Sequence, residues 1–312
     1  MNYEQAYQYK DDFLTYLDVE RNSAHNTYKS YQYDLEQFFT FWKTKRQQDF
    51  TVLSHLQEAL EAFFMHLYKI GIQKSSIARK IACFKSFEKY MHSCNIDIHL
   101  RLVTPRIEKK LPTYLSIDEI TYLLDQMGDK ELKSIRPLRD RTVLELLYAT
   151  GVRCSELCDI KLIDIDFDQK TILITGKGDK QRIVLFGDKA KERLLTYIQD
   201  ERLKDVGSKS INNLFVTQWG DPLQDRGVQR ILNKFSKLLG SKKQITPHKI
   251  RHTFATHLLN AGMDLRALQE LLGHTSLATT ERYTHVSVKD LKELYTTINP
   301  LAVTYLKNTI DV

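Results

Sequence analysis

Strand-forming sequence stands out once in this chain, in KTILITGKGDKQRIVLF at residues 170–186, and that single occurrence limits the fold more than any other feature. Two β-branched runs flank a glycine-containing polar segment, the pattern of a hairpin with a loop of several residues. The rest reads as helix or connection, so helices must carry the core. The expected fold is mainly α with a small β-sheet.

The first hundred residues read as helices throughout. In SAHNTYKSYQYDLEQFFTFW, Ser23 and Asn26 are cap candidates, and Tyr28, Tyr31, Leu35, Phe38, Phe39 and Trp42 recur at helical spacing. In SSIARKIACFKSFEKYMHS, Ile77, Ile81, Phe84 and Met91 form the inward set, while Arg79, Lys80, Lys85 and Lys89 crowd the other side against Glu88. Such a face is either simply solvated or awaits phosphates that offset its self-repulsion.

At 312 residues the chain is long enough for two domains. TPRIEKKLPTYLS, with two prolines, adjacent lysines and no periodicity, reads as the connection between them. The expected boundaries are a helical domain at 1–104, a linker at 105–115 and a second domain at 116–312. Ser116 with Glu119 makes a capping box ahead of Ile120, Leu123 and Leu124, and RPLRDRTVLELLYATG predicts a helix that stops at Gly151. Beyond about residue 222 short helices return, so the second domain is mixed, mostly α around the hairpin. Neither an internal repeat nor a low-complexity tract is visible.

The net charge of +7 and a pI near 9.0 favour a polyanionic partner. Residues 1–103 hold 13 Lys+Arg against 12 Asp+Glu, whereas 104–312 hold 33 against 27, so the excess lies mainly in the second part. No apolar run can span a bilayer and the N-terminus lacks a signal-peptide layout, which places the chain in the cytoplasm. Cys83, Cys94, Cys154 and Cys158 show no CxxC spacing and are expected reduced. Cys154 and Cys158 would share a helix face, but two thiols alone do not make a zinc site.

Four stretches put a cation or a phenol beside a turn or helix end. In ATGVRCSEL, Arg153 follows the helix-ending Gly151, Ser155 can cap the next helix, and Glu156 is close enough to orient Arg153; the same residues also suit an ordinary surface pair. In ITGKGDKQR, Lys177 sits at the hairpin tip, either as an exposed turn residue or as one that reaches outward. The segment lacks the Lys-Ser/Thr and following helix of a phosphate-binding loop.

In TPHKIRHTF, Thr246 fits the N-cap and Pro247 the first helical position, with Ile250, Phe254 and Leu258 buried. His248 and Arg251 then share one side of the first turns. Imidazole, guanidinium and free N–H groups converge there, a combination that favours an oxyanion. A zinc reading of His248 and His252 is disfavoured, because Lys249 stands where a zincin needs glutamate and Arg251 between the pair would repel a cation. LLGHTSLATTERYTH resembles a helix-turn-helix, with His274 in the turn and Tyr283 near the end of its second helix.

Taken in order, TGVRCSEL, GKGDKQR, TPHKIRHTFATHLLNAG and LQELLGHTSLATTERYTHV make the chain similar to the tyrosine recombinases of the lambda-integrase type, and within them the Xer group. The resemblance spans roughly 149 to 286, and the two-domain plan extends it to nearly the whole chain. It implies a helical, SAM-like, DNA-binding N-terminal domain ahead of a mixed α/β catalytic domain, clamping duplex DNA. It also implies a catalytic set of Arg153, Lys177, His248, Arg251, His274 and the nucleophile Tyr283, with Glu156 in support.

The activity implied is site-specific cleavage and rejoining of DNA through a 3′-phosphotyrosyl link, resolving chromosome or plasmid dimers, without metal or other cofactor. Four protomers would act on two sites, alone or with a second recombinase, possible control by a DNA-translocating motor included. The apolar set Leu291, Leu294, Ile298, Leu301 and Val303 suits either a protomer contact or a helix closing its own domain. The alternatives are integration or excision of a mobile element, a topoisomerase-like enzyme without strand exchange, and a DNA-binding regulator that never cuts.

Overall fold

The computed structural model describes residues 1–20, 25–48, 53–107, 114–176, 180–240 and 244–272. The chain divides into two compact units, Met1–Leu111 and Pro112–Val312. No helix among the described residues is long and apolar enough to cross a membrane.

In the first unit, α1 (Tyr3–Thr15), α2 (His25–Gln48), α3 (Leu56–Lys69) and α4 (Lys74–Ser93) bury a core dominated by aromatic rings. Phe38 of α2 meets Phe63 of α3 and Phe84 of α4 edge-on, with centroids 5.5 and 5.0 Å apart. Each such pair adds ~0.5–1.5 kcal/mol beyond the area it buries. The inward sets read from the sequence hold: Leu35, Phe38, Phe39, Trp42, Ile77, Ile81, Phe84 and Met91 are buried, with Tyr28 and Tyr31 packed at the margin. Asn26 falls inside α2, one residue past its start, whereas Ser23 lies outside the described residues.

The cationic side of α4 needs a correction. Lys80 is buried, and its Nζ donates to Asp34 Oδ1 at 2.7 Å and to Gln37 Oε1 at 2.6 Å. Arg79 donates to the same fully buried carboxylate. A buried Asp requires such cations, so α2 recruits both residues inward. Lys85 and Lys89 remain exposed, which reduces the candidate phosphate-facing group to those two, with Arg79 half-exposed beside them.

In the second unit, Ser116 and Glu119 form the expected capping box on α5 (Ile117–Thr121), followed by α6 (Asp129–Leu132). Next comes α7 (Pro137–Thr150), buried on every side from Asp140 onward, as befits a helix at the centre of a domain. Then follow α8 (Cys154–Asp159), β1 (Ile165–Asp166), β2 (Thr171–Thr175), β3 (Gln181–Leu185), α9 (Asp188–Tyr197) and α10 (Leu203–Val206). Finally α11 (Asp225–Leu238) and α12 (Pro247–Asn260) pack on α7, and α13 (Leu265–Leu272) packs on α12 and β3.

The hairpin forms where expected, with Leu173 opposite Ile183, and it gains a third antiparallel strand, β1. Two residues are too few to carry a period-2 signal, which hid β1 in the sequence. Ile172, Ile174 and Val184 enter the core, while Leu173 and Ile183 face out.

Candidate active site

The site begins where α7 ends. Gly151 adopts a left-handed conformation (φ 61°), and its N–H closes the helix on the Leu147 carbonyl at 3.0 Å. A β-carbon there would collide with the Phe254 ring, so glycine is required by packing as well as by backbone. Two residues later Arg153 opens α8 as its N-cap. Its backbone N–H donates to Glu156 Oε2 at 2.7 Å, so the carboxylate of Glu156 caps the helix and Ser155 does not.

Glu156 has a second task. Arg153 Nη1 donates to its Oε1 at 2.8 Å, and Arg182 of β3 grips both oxygens, Nη1 to Oε1 at 2.9 Å and Nη2 to Oε2 at 2.7 Å. Burial alone would raise the pKa of this carboxyl; hydrogen bonds from Arg182 and Arg153 outweigh it and bring the value down to about 2. The pair is therefore held charged, with two guanidiniums oriented by one acid.

A stability test follows. Because the folded pKa lies below the ordinary carboxyl value of 4.5, the stabilisation is complete above pH 4.5 and is lost as pH falls toward about 2. Allowing for the partial solvation of Arg153, Glu156→Gln should cost about 2–3 kcal/mol at neutral pH. Urea midpoints of the two proteins should then converge between pH 5 and pH 2. A constant gap over that range would refute the shared-carboxylate account.

Arg251 arrives from α12, which starts as the sequence implied: Thr246 Oγ1 accepts from Lys249 N at 3.2 Å and Pro247 takes the first position. Ile250, Phe254 and Leu258 are buried. Arg251, however, does not share His248's exposed side. It is buried, and donates through Nη1 to the Gly151 carbonyl at 2.7 Å and through Nη2 to the Leu272 carbonyl at 2.6 Å. Both carbonyls lie at helix C-terminal ends, α7 and α13, where the dipole is negative. The guanidinium is thereby placed by two helices other than its own.

Burial chiefly, then the positive charge of Arg153, lowers the Arg251 pKa to about 10; Arg182 adds to the lowering and Glu156 opposes it. Those influences tie the three arginines into one field with surplus positive charge around Glu156. Gly176, just past the end of β2, lies beside it. Gly176 N donates to Lys180 O at 2.8 Å, and a β-carbon on Gly176 would stand 3.6 Å from Glu156 Oε1.

Of the residues anticipated from sequence, Arg153, Glu156 and Arg251 are brought together, and His248 is exposed on the first turn of α12. Lys177, His274 and Tyr283 lie outside the described residues, as does the apolar set from Leu291 to Val303. Arg182 was missed. A signal existed: it shares a strand face with the buried Val184, and an arginine on an inward face needs a buried partner.

The fold is thus a helical bundle followed by a unit in which Arg153, Arg182 and Arg251 gather around the carboxylate of Glu156, with positive charge in surplus. Residues 113–290 match the phage integrase family, and residues 11–93 match its N-terminal SAM-like domain. The chain is 39% identical over 296 residues to tyrosine recombinase XerC of Staphylococcus aureus (strain USA300 / TCH1516), covering 94% of this chain and 97% of that one. It is 40% identical over 306 residues to tyrosine recombinase XerC of Syntrophus aciditrophicus (strain SB), covering 93% and 97%.

Among solved structures, the XerH site-specific recombinase bound to difH substrate in a pre-cleavage complex shares the fold, with a TM-score of 0.64 at 22% identity over 92% of this chain and 81% of that one. The Tn1549 transposon integrase in complex with transposon right end DNA has a TM-score of 0.65 at 16% identity, covering 100% of both. The chain belongs to the phage integrase family, as a site-specific tyrosine recombinase of the Xer type.

Proposed function

We propose that this recombinase cleaves and rejoins duplex DNA by transferring a backbone phosphate to Tyr283. The observation that carries the reading is the Arg153–Glu156–Arg182 group with Arg251 in its field, close to Gly176, the residue that precedes Lys177 in the chain. The Tyr283 oxygen attacks phosphorus as the bond to the 5′ oxygen breaks, leaving a 3′-phosphotyrosyl link and a 5′-hydroxyl. Arg153 and Arg251 stabilise the charge that grows on the non-bridging oxygens, which planar guanidiniums suit.

His248 and His274 bond the phosphate and help take the phenolic proton, while Lys177 protonates the departing 5′ oxygen. Attack by the 5′-hydroxyl of a partner strand reverses the step and exchanges strands. The same bond count is kept throughout, so no external energy source enters. Glu156 acts through the arginines it orients.

The unit at 1–104 and the one at 116–312 would hold a duplex recombination site, with the 105–115 linker between. Four protomers would act on two sites in the cytoplasm, the segment 288–312 joining neighbours, to resolve chromosome or plasmid dimers under the control of a DNA-translocating motor. Identity to XerC proteins over most of the chain supports that role.

The test is a duplex nicked close to the cleavage position, so that the short product carrying the 5′-hydroxyl diffuses away. Incubation should accumulate a denaturation-resistant protein–DNA adduct, attached at a 3′ phosphate and mapping to one position per strand. A duplex that is bound and protected but never joined to protein would point to a non-cleaving regulator.

A further inference from the structure

A cluster of donor atoms in the first unit, apart from every residue assigned above, has a geometry that hydrogen bonding does not explain. Glu88 and His92 stand one turn apart on the last turns of α4. Beyond the helix, Asn95 takes a left-handed conformation (φ 59°) and Ile96 N returns to Met91 O at 2.9 Å, so the chain reverses along α4. Residues 96–102 then form an extended strap. Ile96, Ile98, Leu100 and Leu102 pack on the core, and the alternate residues Asp97 and His99 turn outward to rejoin Glu88 and His92.

Asp97 Oδ1 stands 3.5 Å from His92 Nδ1 and 3.5 Å from His99 Nε2. Those separations are long for hydrogen bonds. Asp97 therefore pairs loosely with both rings, as ion pairs do, and stands outside the group whose donor atoms converge. Donor atoms of Glu88, His92 and His99 lie within 4.8 Å of one another. Glu88 Oε1 accepts from Leu100 N at 2.7 Å, which fixes the carboxylate and leaves its second oxygen to the cluster. The carbonyl end of α4 adds negative potential at the same place.

We propose that Glu88, His92 and His99 form a binding site for a first-row divalent cation, with zinc the best match, clasping the 96–102 strap to α4, while Asp97 pairs with the two rings from outside the ligand set. One carboxylate and two imidazoles make a nitrogen–oxygen set that zinc, nickel and copper prefer over magnesium or calcium, with solvent to complete the coordination. The site stands independently of the roles proposed for Arg153 to Tyr283.

The described residues hold one rival cluster, Cys154, Cys158 and Asp225, and the test separates the two by ligand chemistry. The full chain, freed of metal by a chelator, is titrated with zinc by calorimetry and with cobalt(II) by absorption. The expected result is one saturable zinc site, a tetrahedral cobalt spectrum without a thiolate charge-transfer band, and a higher melting temperature with zinc. His92→Ala and His99→Ala should each weaken zinc binding at least tenfold and remove the thermal shift, whereas His55→Ala and the Cys154→Ser, Cys158→Ser double variant should not.

The His99 side chain is 80% exposed, so its variant folds and the comparison remains interpretable. Unchanged zinc affinity in both histidine variants, the absence of saturable binding, or a thiolate band abolished by the cysteine variant would each overturn the proposal.

Discussion

Tyr283→Phe is expected to leave DNA affinity unchanged and to abolish the covalent adduct on a nicked duplex, a loss of at least about 10⁴-fold in joining rate. The change deletes one oxygen and keeps the ring, so any packing role of residue 283 survives. An unperturbed phenol has a pKa of about 10, which makes it a weak nucleophile at neutral pH. Its activation requires positive charge close by, and the proposed mechanism assigns that task to the arginines gathered around Glu156. Gel-shift affinity and adduct yield, measured on the same duplex, separate the two functions. Equal adduct yields from Tyr283→Phe and the parent protein would remove Tyr283 from the mechanism.

Arg251→Lys should be nearly as damaging as Arg251→Ala, although it retains the charge. The guanidinium spans two carbonyls, Gly151 O and Leu272 O, from opposite arms of its fork, and a single ammonium cannot serve both from that position. One helix end is then left with an unsatisfied buried carbonyl, at a cost of about 1–3 kcal/mol in unfolding free energy. Loss of one preorganised donor for developing phosphate charge should slow adduct formation by roughly 10²–10³-fold. Rates taken well below the melting temperature of each variant keep the two effects apart. Wild-type joining by Arg251→Lys would show that residue 251 is structural glue and nothing more.

The two predictions draw on different levels of the molecule. Tyr283 is singled out by the order of four motifs along the chain and lies outside the described residues. For Arg251 the decisive fact is where the guanidinium goes, and the sequence pointed elsewhere. His248 and Arg251, three apart on a helix, were expected to face one way; instead Arg251 turns inward, drawn by the carbonyl ends of two other helices. Lys80 repeats the lesson in the first unit. Counted among the cations on an outer face, it is claimed by Asp34 from a neighbouring helix.

Local signals in the sequence by themselves determined much of this protein's secondary structure. The Ser116–Glu119 box, the Gly151 stop, the Thr246–Pro247 start and the hairpin at 171–185 each depend on residues close in sequence, where capping chemistry and side-chain period act directly. Tertiary structure alone decided that Glu156 holds Arg182 as well as Arg153, that Lys80 is core, and that β1 joins the sheet. Those outcomes are pairings of charges or edges brought together from distant parts of the chain. Which carboxylate answers which cation depends on burial, and burial exists only once the chain has folded.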